Sequence, residues 1–154
     1  MISMNKHLLV VDDNSVNVEL LLDLLDDHGF DNVHGLSDPR HVLAYCQQQL
    51  PDLILLDIRM PHIDGYAVME QLQEHFADQT PPVIVLTAQI DDDTRHRALK
   101  MGIRDFLTKP FKHDEVLQRI RNTLDVEHRY QVRDKQAETL EQMVAKRTEE
   151  LDRQ

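Results

Sequence analysis

Three aspartates stand directly behind short apolar runs: Asp12 and Asp13 after Leu8-Leu9-Val10-Val11, and Asp57 after Leu53-Ile54-Leu55-Leu56. If both runs are buried strands of one parallel sheet, the three carboxylates share a crevice at its carboxyl edge, where open α/β sheets bind ligands. Like charges about 4 Å apart repel by roughly 4 kcal/mol at an effective dielectric near 20, so the cluster favours a cation. All-oxygen donors with solvent access suit Mg²⁺, which keeps several waters and needs few carboxylates. Taken alone, Asp12-Asp13-Asn14 equally suits a turn that caps a helix. Two more strand ends add weight to the first reading. Thr87 closes Val83-Ile84-Val85-Leu86 and is followed by the small Ala88, while Lys109 follows Asp105–Thr108 and precedes Pro110. A hydroxyl and an ammonium then face three carboxylates. This is the set that a phosphoryl group on an aspartate requires: positive charge for its oxygens and a hydroxyl to bind one of them. Asp57 is the natural nucleophile, since a strand-end aspartate can form an acyl phosphate.

The elements that must position these residues alternate along the chain. Strands are predicted at Leu8–Val11, weakly at Asn32–Leu36, and at Leu53–Leu56, Val83–Leu86 and Asp105–Thr108. Between them lie amphipathic stretches: one capped by Ser15 and running to about His28 before Gly29, one from Pro39 to about Gln49, one from Asp64 to about Phe76, and one opened by Asp91-Asp92-Asp93 and ended by Gly102. Five strand–helix units whose strands are apolar on both faces imply a parallel sheet covered by helices. The expected fold is α/β and flavodoxin-like, a doubly wound (βα)5 sheet of strand order 2-1-3-4-5 with an extended C-terminal helix. No Gly or Pro occurs between Pro110 and Gln154. The final helix, from about His113, is thus predicted to run for about 40 residues, or about 60 Å.

These motifs make residues 5–125 resemble a response-regulator receiver domain of two-component signalling. The matching pieces are Leu9-Val10-Val11-Asp12-Asp13, Asp52 through Pro61, Asp64-Gly65, Val85-Leu86-Thr87-Ala88 and Asp105 through Phe111. The resemblance implies that Asp57 is the phosphoacceptor. It implies that Asp12 and Asp13 bind Mg²⁺ together with Asp57 and the backbone carbonyl of Arg59. It makes Thr87 the switch hydroxyl, Lys109 the phosphate-sensing lysine and Phe106 the switch aromatic, and it implies a cis Lys109–Pro110 bond. Arg59 and Gln89 stand two residues beyond Asp57 and Thr87, places that influence acyl-phosphate hydrolysis in this family. The implied partner is a sensor histidine kinase or phosphotransfer protein. The chain itself would then be no enzyme beyond its own phosphorylation and autodephosphorylation.

Residues 126–154 read as a coiled-coil or signalling-helix linker. Val126, Tyr130, Ala137, Leu140, Val144 and Leu151 recur at alternating spacings of four and three, with Arg133 and Arg147 in the two remaining seam positions. A homodimer through residues 126–151 is expected; a single helix folded back on the receiver, or a frayed tail, is the alternative. The run from Met143 to Leu151 resembles linkers that lead into HD-GYP phosphodiesterase, diguanylate cyclase or sensor-kinase modules. The chain is therefore expected to be a piece of a multidomain regulator such as a receiver–HD-GYP protein, its output most plainly a cyclic-di-GMP phosphodiesterase or cyclase.

Composition narrows the rest. With 41% hydrophobic residues and only four Gly, the chain is neither low-complexity nor globally disordered. Residues 1–125 hold 21 acidic against 11 basic side chains, out of a whole-chain charge of −11, so direct nucleic-acid binding is not expected. No run approaches a membrane span. Cys46 is the only cysteine, which together with the absence of a signal-like start points to the cytoplasm. The nine histidines lack paired ligand spacing and are expected at the surface. A haloacid-dehalogenase-type phosphatase also uses a strand-end aspartate, but needs a second Asp two residues on, where Arg59 stands. A dimerisation scaffold with a vestigial site is the remaining alternative.

Overall fold

The computed structural model describes residues 6–60, 62–88 and 90–129. In chain order they form β1 (Leu8–Val11), α1 (Ser15–Asp27), β2 (Val33–Leu36), a 3-10 turn (Pro39–His41), α2 (Val42–Gln48), β3 (Leu53–Asp57), α3 (Gly65–Phe76), a second 3-10 turn (Ala77–Gln79), β4 (Val83–Thr87), α4 (Asp92–Lys100) and β5 (Asp105–Thr108). A last helix, α5, covers 113–129. The five strands pair in parallel in the order β2-β1-β3-β4-β5, the flavodoxin-like arrangement expected.

β1, β3 and β4 are apolar up to their carboxyl ends because each must fill a core on both faces of the sheet. The edge strands β2 and β5, expected to be apolar on both faces too, carry polar residues and are only partly buried. Leu9, Val11, Ile54, Leu56, Val83 and Val85 face one core, against Val42 and Cys46 of α2, Val68, Met69 and Leu72 of α3, and Ala98 of α4. Their neighbours Leu8, Val10, Leu53, Leu55, Ile84 and Leu86 face the other, against Leu21, Leu24 and Leu25 of α1 and Val116, Leu117 and Ile120 of α5. Each fully buried aliphatic side chain contributes about 1.5–3 kcal/mol. The two cores thereby fix β1, β3 and β4 side by side, with their carboxyl ends at one edge.

Local corrections come from capping chemistry. Asn14, not Ser15, caps α1: its backbone is extended and its side chain accepts from Val16 N at 3.0 Å, which leaves Ser15 as the first helical residue. Asp64 and Asp91 likewise stand just outside their helices, accepting from Ala67 N at 2.9 Å and Thr94 N at 2.7 Å. Pro39 opens only a 3-10 turn, because Asp38 caps it through Arg40 N and the α-helix begins at Val42. His7 departs from the surface placement expected of the histidines. It is buried, with Nε2 2.6 Å from the Tyr45 hydroxyl and its main-chain N–H donating to Asp52 at 2.8 Å. A residue that leads directly into a central strand is drawn inside with it. The Lys109–Pro110 bond is cis. No helix of the described residues is long and apolar enough to cross a membrane. The stretch 130–154, which carries most of the predicted heptads, and Gln89 lie outside the described residues.

Candidate functional site

The site is assembled at the carboxyl edge of the sheet. Asp12 follows β1 and is held by the sheet itself, its N–H donating to Leu36 O at 3.2 Å. Its carboxylate is wholly buried; Oδ1 accepts from Asn14 N at 2.9 Å and Oδ2 from the Asn17 side-chain amide at 3.3 Å. Asp57 is the last residue of β3, buried beside it, and its Oδ1 accepts from Arg59 N at 3.2 Å. Asp13 is exposed at the rim. Carboxylate oxygens of Asp12, Asp13 and Asp57 all lie within 4.8 Å of one another.

Lys109 reaches into this cluster from the end of β5. Its Nζ lies 3.0 Å from Asp12 Oδ2 and 3.1 Å from Asp57 Oδ2. Its main-chain N–H donates to Thr87 O at 2.8 Å, so the ends of β4 and β5 are tied at the level of the site. Thr87 ends β4 and is buried. Phe106, paired in register with Val85, lies inside the core shared with Ile58 and Ile103 rather than on the surface.

The electrostatics follow from this crowding. Burial, and then the charge of Asp12, push the Asp57 carboxyl up to about 7, with Lys109 acting in the opposite direction. Burial works to lower Lys109, but the hydrogen bond to Asp12 and the charges of Asp57 and Asp12 outweigh it and hold the ammonium above its usual value. Above about pH 7, where Asp57 too is ionised, three carboxylates and one ammonium leave two negative charges unbalanced. The donors are hard oxygens, close enough for one small divalent cation, and the exposed Asp13 leaves room for water ligands. Mg²⁺ fits this set.

The structure thus brings Asp12, Asp13, Asp57 and Lys109 together, with Thr87 and the Arg59 main chain adjoining; Phe106 lies beneath them. Sequence reasoning missed Asn17, whose signal is an amide in the first turn of the helix that follows the acidic pair. It quoted Gly65 within Asp64-Gly65 but gave it no role; a Cβ there would stand 2.6 Å from Asp57 O and 2.8 Å from Ile58 Cα. Only a residue without a side chain lets α3 abut the strand end that carries Asp57.

A family model described as the response regulator receiver domain matches residues 8–121. Among curated proteins, the regulatory protein VanRc of Enterococcus gallinarum is 34% identical over 128 residues, covering 82% of this chain and 53% of that protein. The alkaline phosphatase synthesis transcriptional regulatory protein PhoP of Bacillus subtilis is 36% identical over 121 residues, covering 79% and 49%. The chain therefore spans about half the length of these relatives. A response regulator of Chloroflexus aurantiacus has a similar crystal structure, with a TM-score of 0.72 at 31% identity, covering 79% of this chain and 98% of that one.

Proposed function

The chain belongs to the response-regulator receiver family, and on that footing we propose that it is a phosphorylation-controlled switch whose acceptor is Asp57. Receivers act in two-component phosphorelays and are not, as a family, turnover enzymes. The observation that carries the reading is the seat of Lys109 Nζ between Asp12 and Asp57, 3.0 and 3.1 Å away. An ammonium so held neutralises the nucleophile's neighbour and is already in place for a phosphoryl oxygen.

The step is a transfer. An Asp57 oxygen forms a bond to phosphorus as the phosphorus–nitrogen bond of a donor phosphohistidine breaks, and the departing imidazole takes up a proton. Asp12, Asp13, Asp57 and the Arg59 carbonyl would hold Mg²⁺, which when bound supplies charge neutralisation for the phosphoryl oxygens. Lys109 takes one oxygen as an ion pair and the Thr87 hydroxyl donates to another. Arg59 offers no carboxylate that could act as a general acid, which sets this site apart from an aspartyl-phosphate phosphatase.

The donor is a sensor histidine kinase or phosphotransfer protein in the cytoplasm. Residues 5–125 form the receiver, and 126–154 a coiled-coil linker to an output module. The resemblance of Met143 to Leu151 to signalling-helix linkers favours a cyclic-di-GMP phosphodiesterase or cyclase, as in a receiver–HD-GYP protein. The name of PhoP favours transcriptional output as the second reading.

Incubation with acetyl phosphate and Mg²⁺ should raise the intact mass by one phosphoryl group, and omission of Mg²⁺ should abolish the gain. An equal gain in Asp57→Asn would overturn the assignment of the acceptor.

A further inference from the structure

Helix α4 is the least anchored helix beside the site: of its nine residues only Ala98 is buried, and Leu99 is 54% exposed. Besides that anchor, α4 is tied to the molecule through Tyr66, in the first turn of α3. The Arg97 guanidinium carbon lies 3.9 Å from the centroid of the Tyr66 ring, and the Tyr66 hydroxyl donates to Thr94 O at 3.4 Å. These contacts border an open cleft of about 290 Å³ whose wall includes Thr87 and Arg59 as well as Tyr66, Thr94 and Arg97. The end of β4 and the Arg97–Tyr66 contact thus line one cleft. Thr87 ends β4 and α4 begins at Asp92, so the two are joined by four residues.

Resting on the reading of Asp57 as phosphoacceptor, we propose that the Arg97–Tyr66 stack is a latch that holds α4 in the arrangement in which Lys109 pairs directly with Asp57 and Asp12. A phosphoryl group on Asp57 competes for Lys109 and draws the Thr87 hydroxyl toward its oxygens. Displacement of Thr87 opens the cleft on the α4 side and pulls the short connection to Asp92. Because α4 has one buried anchor, it yields by releasing the stack rather than by disturbing the core. A latch made only in one of two arrangements shifts their balance by its own strength, and no other contact need change. Arg97 and Tyr66 are thus positioning residues: they touch no reacting atom and set how readily the site accepts its ligand.

The measurement is the affinity of the full chain for beryllofluoride, a phosphoryl mimic, in the presence of Mg²⁺, followed by amide NMR. Arg97→Gln removes the guanidinium that stacks on Tyr66 and its charge while keeping a polar side chain, and should bind about two- to five-fold more tightly, the worth of one partly exposed cation–π contact. Arg104→Gln, which breaks only the 2.8 Å pair with Glu127 on a different face, should bind as the wild type does. In a Tyr66→Leu background, Arg97→Gln should have no further effect, because its partner is already gone. Unchanged or weaker binding by Arg97→Gln, with the wild type binding normally, overturns the latch alone. An equal gain with Arg104→Gln overturns it too, since the effect would then be one of general charge. A wild type that takes up no beryllofluoride overturns the reading of Asp57, and the latch with it.

Discussion

Asp57 does its chemistry from a place that is costly for a carboxylate. Buried next to Asp12, it holds its proton up to about pH 7, against about 4 in the unfolded chain. Between those values the native state binds a proton that the unfolded state has lost, so this group's contribution to stability falls as pH rises through the window and levels off above it. Asp57→Asn removes the ionisable group but leaves Lys109 its partner in Asp12, 3.0 Å away. In chelator at pH 8 the variant should therefore melt higher than the wild type, by about 4 °C for each kcal/mol relieved, and the gap should narrow toward pH 5. Addition of Mg²⁺ at pH 8 should raise the wild-type midpoint by mass action. Thermal melts across pH 5–8 decide the matter, and a gap that widens toward acid would contradict the burial argument.

The elements turn this residue chemistry into a site by exact spacing, and α3 is the tightest case. A Cβ on Gly65 would meet the backbone of Asp57 and Ile58 at 2.6 and 2.8 Å, and backbone cannot rotate away. At Gly35 the added Cβ would meet Val18 Cγ1 at 2.4 Å and Leu22 Cδ1 at 3.2 Å, which are ends of side chains that can move. Both Gly→Ala variants should lose about 1–3 kcal/mol through overpacking. Only Gly65→Ala should also slow phosphorylation by acetyl phosphate, by tenfold or more on the order of a 1 Å misplacement. Denaturant melts beside phosphorylation rates make the test; equal rates in the two variants would show that Gly65 does not position Asp57. The same contrast marks how far the sequence could be read. Strand ends were legible because apolar runs stop where a polar residue must begin, which put Asp12, Asp57, Thr87 and Lys109 at one edge. Glycine's role at position 65, the burial of His7 and the Arg97–Tyr66 stack were not, because each depends on which element lies opposite. The choice of Asn14 over Ser15 as cap turned on one backbone conformation that both residues suit by type.

At the scale of the molecule, the decisive feature is a second apolar stripe that starts on α5, apart from the face that packs on the receiver. Val116, Leu117, Ile120 and Leu124 are buried against the sheet, yet Val126 is 44% exposed. Two residues are about 200° of helix, so Val126 lies on a different face from Leu124, and the heptad pattern of the sequence continues from it through Tyr130, Ala137, Leu140, Val144 and Leu151. A helix gains little from propensity alone, so an apolar stripe that the receiver core does not cover calls for a partner. Pairing with the same stripe of a second chain supplies it, at about 25 cal/mol per Å² of apolar surface covered. Parallel pairing sets both receivers at one end, free to act on two output modules at the other. Arg133 and Arg147 work against the pairing, because like charges meet across the seam unless their stems lie along it with the heads in water. The expected outcome is a weak homodimer, with Kd on the order of micromolar, that phosphorylation tightens or re-registers. Sedimentation of residues 1–154 against 1–125 compares the two directly: the longer chain should dimerise and the shorter should not. Monomers of both at about 100 µM, with and without beryllofluoride, would leave the dissociation constant above the micromolar range and remove the coiled coil as the route from receiver to output.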